Sequence, residues 1–131
     1  MGLDVSHGAF SASYGAFNRF RKAVAKAWGG SYPPHDDESL DDSRWYCGEG
    51  TRLEDCPGLV EFFNHSDCDG EISPETCRRV ADDLERLLPG IDAAGIGAGH
   101  IERDGGYGVV ARQFIAGCRA AADAGEPLVF E

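Results

Sequence analysis

The stretch from Ser73 to Gly90 constrains the fold most, because it spells out a helix with both of its ends. Ser73-Pro74-Glu75 offers a side-chain cap, a first-turn proline whose missing amide costs nothing, and an early acid. Cys77, Val80, Ala81, Leu84 and Leu88 then recur at helical spacing as one buried stripe, and Pro89-Gly90 stops the helix near Leu88. Such a stripe needs a second apolar face to cover it. Two further helical patterns supply one. Over about 12–28, Tyr14, Phe17, Val24 and Trp28 share a side, with Ser11 or Ser13 as cap and Gly29-Gly30 as the end. Over Tyr107 to Ala124, Val110, Phe114, Cys118 and Ala121 do the same, and Gly125 closes the helix.

The remaining segments complete a mainly helical α+β domain. Pro57 opens a short fourth helix through Leu59, Val60, Phe62 and Phe63, which leads through the loop at 65–73 into the helix at Ser73, an EF-hand-like helix-loop-helix. Gly2-Leu3-Asp4-Val5-Ser6 reads as an edge strand. Its partner in a small terminal sheet is Pro127-Leu128-Val129-Phe130, since two short apolar segments of this kind bury poorly alone. A length of 131 residues suits one domain over 1–131. Within it, 29–56 reads as an irregular acidic connection, with Pro33-Pro34 followed by five acids between Asp36 and Asp42, and with Trp45 and Tyr46 pinning its far end.

Twenty-three acids against twelve bases give a net charge of −11. That balance repels phosphate, so nucleic acid is excluded as a general direct partner and an anionic membrane surface is disfavoured. It suits instead a protein partner with a basic surface. Four of the bases, Arg19, Arg21, Lys22 and Lys26, sit in the first helix, where they read as a solvated face or as partners for the chain's own carboxylates. The first residues lack a secretory pattern and no stretch approaches the roughly 20 apolar residues of a membrane span, so a cytoplasmic location is expected. Gly2 and Ser6 also fit the short N-myristoylation pattern. Cys47, Cys56, Cys68, Cys77 and Cys118 are odd in number and contain no C-x-x-C pair, which reads as free thiols.

Candidate chemistry concentrates in His65-Ser66-Asp67-Cys68-Asp69-Gly70-Glu71-Ile72-Ser73. With Gly70 at the turn, Asp67, Asp69, the Glu71 carbonyl and Ser73 fall at ligand positions of an EF-hand calcium loop. His65 stands where the first aspartate belongs, and Thr76 replaces the closing glutamate, with Glu75 one place early. A divalent metal, calcium or zinc, is therefore one reading, with His65, Asp67, Asp69, Glu71 and Ser73 as its ligands or, for zinc, His65, Cys68 and Cys77. The other reading has Asp67 or Asp69 capping a turn that Gly70 makes possible. A polar cluster of Asp4, His7 and His100, joined by His65, Asp67, Glu102 and Asp104, would form if the element ends converge. Gly95-Ile96-Gly97-Ala98-Gly99-His100 lacks the glycine spacing of a dinucleotide loop.

Three blocks point to a family. Met1-Gly2-Leu3-Asp4-Val5-Ser6-His7, His65-Ser66-Asp67-Cys68-Asp69-Gly70-Glu71, and Gln113 to Ala121 with Gly125-Glu126-Pro127-Leu128 together resemble a group of small bacteriophage and bacterial proteins with no established activity. The resemblance implies an accessory role. Together with the acidic balance it leads to the expectation of a non-enzymatic binding protein, in one form an inhibitor of a host nucleic-acid-binding factor. A small metal-dependent hydrolase using the His and Asp groups and a small-molecule-binding sponge are the alternatives.

Overall fold

The computed structural model describes residues 2–28, 57–65 and 69–131; the acidic connection over 29–56, with Trp45 and Tyr46, lies outside them. Along the described chain run β1 (Gly2–Val5), β2 (Phe10–Ser13), α1 (Tyr14–Trp28), α2 (Pro57–Asn64), β3 (Glu71–Ile72), α3 (Pro74–Ala93), α4 (His100–Arg103), α5 (Tyr107–Ala124) and β4 (Leu128–Val129). The fold is α+β and mainly helical, as the periodicity implies.

The helices follow their sequence signals closely except at two ends. Ser73 caps α3, its hydroxyl accepting from the Thr76 amide, and Gly125 ends α5. The helix expected from about residue 12 begins instead at Tyr14. Phe10 and Ala12 point inward and Ser11 outward, the two-residue alternation of a strand, and Ser13 then caps α1 by accepting from the Ala16 amide at 3.1 Å. At the other end of the fold, α3 does not stop at Leu88 but runs through Pro89 to Ala93. Ile91, fully buried one stripe repeat beyond Leu84, offsets what the proline costs. The single turn α4 had no signal in the sequence.

The terminal segments meet as expected, at a bridge between Val5 and Phe130. Each also has a second partner. β1 pairs antiparallel with β2, from Gly2 with Ser13 to Val5 with Phe10, and β4 pairs with β3, Ile72 opposite Leu128. β1 keeps the edge position expected of it, in a two-stranded sheet with β2, and is touched on its other side by the bridge at Val5. The two two-stranded sheets meet at this bridge, and their inner residues Leu3, Val5, Phe10, Ile72, Leu128 and Phe130 are all buried.

That inner face closes over an aromatic centre. Phe17 lies 5.9 Å from Phe62, 6.1 Å from Phe114 and 5.8 Å from Phe130, centroid to centroid, so one ring from each of α1, α2, α5 and the C-terminal segment meets at one point. α3 packs along α5 and α2 crosses α3. The second crossing is very close: a Cβ on Gly58 would sit 2.4 Å from the Arg79 carbonyl carbon, so only glycine fits there.

Candidate functional site

The loop between α2 and α3 turns at Gly70, whose φ of 96° suits glycine, and then enters β3. Its described groups are used internally. The His65 ring packs against Phe130 at a 37° tilt with centroids 4.1 Å apart, and its Nε2 lies 3.2 Å from the Glu71 carbonyl oxygen. A Cβ on Gly70 would touch that same ring at 3.3 Å, so the histidine fills the space under the turn. The Ser73 hydroxyl is spent on the α3 cap, and Glu75 pairs with Arg79 at 3.6 Å. Asp69 is exposed, while Ser66, Asp67 and Cys68 lie outside the described residues.

Cys77, the second sulfur of the zinc reading, is fully buried and donates to the Ile72 carbonyl at 3.6 Å. It faces Cys118, whose thiol is pushed far up by its hydrogen bond with Cys77 and by burial. Both are free cysteines of the α3–α5 seam. Among the described residues, no three His, Cys, Asp or Glu side chains converge in a way that could hold a metal ion.

The polar cluster forms in part. A cleft of about 410 Å³ is lined by Asp4, Ser11, Ser13, His100 and Arg103, so Asp4 and His100 do share a site. His100 Nδ1 accepts the Ser13 amide at 3.0 Å, which leaves the proton of the neutral ring on Nε2, and Asp4 accepts from the Ser11 hydroxyl at 2.6 Å. His7 is elsewhere. It occupies the β1–β2 turn with φ 58°, its Nε2 4.0 Å from Glu126, at the opposite end of the hairpin from Ser13. A four-residue strand separates those ends by roughly 10 Å. His65 belongs to the Phe130 contact described above. Asp104 is held by Arg103, whose hydrogen bond keeps the carboxyl below its usual range.

Among the described residues, two buried charged side chains escaped the sequence reading. Arg21, grouped with the solvated bases of α1, is buried; its guanidinium lies 4.4 Å from the Phe17 ring centre and donates to the His65 carbonyl. Asp83 is buried too. It accepts from the amides of Gly58 at 2.8 Å and Leu59 at 3.3 Å, capping α2 from a neighbouring helix, and also holds Arg86. Serines 11 and 13, which line the cleft, carried a detectable signal: their alternation with Phe10 and Ala12 is a strand pattern hidden by the helix that follows.

Across the outward face of the two bridged sheets, carboxylates gather. Asp4, Glu71 and Glu131 are exposed, while their chain neighbours Leu3, Val5, Ile72 and Phe130 point inward. The Glu131 amide donates to the Asp4 carbonyl at 2.8 Å, placing those two residues side by side, and Glu71 stands opposite Val129 on the next segment. Comparison with protein-family models, curated proteins and solved structures yields no match.

Proposed function

We propose that the protein is a non-catalytic accessory protein that binds a partner carrying a basic surface, using the outward face of its terminal strands. One observation carries this reading: Asp4, Glu71 and Glu131 lie exposed across adjacent segments, and none of the three is in an ion pair among the described residues. The nearby base Arg103 is engaged by Asp104 and by the Ser11 carbonyl, so it leaves the face negative. Strand segments spaced roughly 5 Å apart present such carboxylates as a row, a pattern that meets lysine and arginine side chains without deep burial.

A net charge of −11 supports the same partner chemistry, since it speeds approach to a basic surface and repels nucleic acid itself. The resemblance of three sequence blocks to phage and bacterial proteins suits an accessory role, such as covering the nucleic-acid-binding surface of a host factor. Among the described residues, no helix is long and apolar enough to cross a membrane.

The test is affinity capture from bacterial lysate at about 50 mM and 500 mM salt, run beside the double variant Asp4→Lys/Glu131→Lys. A partner recovered at low salt, released at high salt and missed by the charge-reversed protein is the expected result. A catch that ignores both changes would refute an electrostatic interface on this face.

A further inference from the structure

A second concave surface lies on the other side of α1, against the end of α3. It encloses about 510 Å³, the size range of sites for small organic molecules, and Arg19, Lys22 and Lys26 stand along it with Tyr107 completing the lining. Its floor is made of glycine and alanine. Gly90 approaches α1 so closely that an added Cβ would lie 2.9 Å from the Ala27 methyl, so backbone and methyl groups line the bottom of the groove.

The three bases are spaced by three and four residues, so they stand on one helix face and repel one another. In a chain with eleven surplus acids, counterions would be expected within the fold. None of the ion pairs among the described residues includes Arg19, Lys22 or Lys26, whereas Arg79, Arg86, Arg103, Arg112 and Arg119 each meet a carboxylate. Among the described residues, no acidic side chain lines the groove.

We propose that this groove binds a phosphorylated small molecule of the nucleotide class. A guanidinium and two ammonium groups match the charge and the several oxygens of a phosphate, the arginine fork taking two oxygens at once. The glycine and alanine floor and the Tyr107 ring accept the apolar, aromatic body of a base. Length decides between a small anion and a polymer. A nucleic-acid strand extends beyond the groove into the field of the whole acidic molecule, while a single phosphate inside it lies within a Debye length, about 8 Å at physiological salt, of the three bases.

The test is calorimetric titration of the full chain with adenosine and guanosine 5′-monophosphates, inorganic phosphate, adenosine, and a single-stranded oligonucleotide. A nucleoside monophosphate is expected to bind at least tenfold more tightly than phosphate, adenosine or the oligonucleotide calculated per site. Lys22→Glu/Lys26→Glu should weaken that binding at least tenfold. Ala94→Trp, which fills the groove at an exposed lining position without changing charge, should weaken it comparably, with circular dichroism confirming that both variants fold. Absence of nucleotide binding up to 1 mM overturns the proposal. So does equal binding of phosphate and nucleotide, tighter binding of the oligonucleotide, or unaltered affinity in Ala94→Trp. Asp4→Lys/Glu131→Lys should bind the nucleotide as the parent does, which keeps this site separate from the partner surface proposed on the strands.

Discussion

Two faces of the helical layer treat charge in opposite ways. Along α3 and α5, arginine meets carboxylate repeatedly: Arg119 reaches Asp82 at 3.2 Å and Glu85 at 2.8 Å, and Arg112 takes both oxygens of Asp92 at 2.7 and 2.9 Å. Along α1, Arg19, Lys22 and Lys26 line a groove and enter no ion pair among the described residues. Helix, solvent exposure and residue type are much the same. The difference is the shape beneath. Where two helices pack flush, charges are matched across the seam and add a little stability; where the small residues of α1 and α3 leave a concavity, the charges stay available to something that enters it.

The matched regime has a buried extreme, and breaking it should produce the largest effect. Asp83→Ala leaves the Gly58 and Leu59 amides at the start of α2 without their acceptor and frees Arg86, at an expected cost of about 2–4 kcal/mol in urea unfolding. Asp83→Asn keeps an acceptor oxygen and should lose less. If the alanine variant unfolds with the parent's midpoint, the capping role of this carboxylate is wrong. At the surface the same regime is weak. Arg119→Ala should cost only about 0.2–1 kcal/mol, shrinking further at high salt, although its side chain touches two acids.

The Asp92–Arg112 pair allows a pH test of the matched face. The hydrogen bond from Arg112 holds the Asp92 carboxyl below its usual range. A depressed folded-state value means that the stabilisation is fully present above the ordinary aspartate range, near pH 4, and is lost as pH falls through the lower folded value. The stability gap between the parent and Arg112→Ala should therefore be constant from pH 5 to 7 and close in more acidic solution. A gap that persists below pH 2 would mean that the arginine acts through packing and not through this carboxylate.

How far these features could be read from the chain depends on the range of the contacts behind them. The start of α3 and the end of α5 were legible because Ser73 and Gly125 act on backbone within a turn of themselves. The end of α3 was not, because Pro89 is a local stop signal overruled by the tertiary burial of Ile91. β2 was hidden for a similar reason: four alternating residues flow straight into a helix whose stripe continues their pattern. In the loop, the turn at Gly70 was legible, but the place of His65 under it depends on Phe130, at the far end of the chain. Asp83 finds its amides 25 residues away, and nothing in its neighbours marks it as buried. Of the four α1 bases, Arg19, Lys22 and Lys26 share an exposed face and Arg21 does not, and the groove beside those three exists only once α3 runs past Pro89 to bring Gly90 against Ala27.

The smallest expected effect sharpens the contrast most, because it has the opposite sign. If Lys22 and Lys26 answer to no carboxylate, removing their charge relieves repulsion instead of breaking a pair. Lys22→Gln/Lys26→Gln suits this purpose, since glutamine has nearly lysine's helix propensity and the change then reports charge alone. At low salt the variant should be more stable than the parent by about 0.2–0.5 kcal/mol, the scale of like-charge neighbours on a helix. Screening should erase that gain near 1 M salt, where the Debye length falls to about 3 Å. Arg119→Ala moves the other way under the same titration, starting as a loss and fading towards zero. Were the glutamine pair to begin as a loss too, the lysines would have carboxylate partners within the fold, and the two faces would obey one rule.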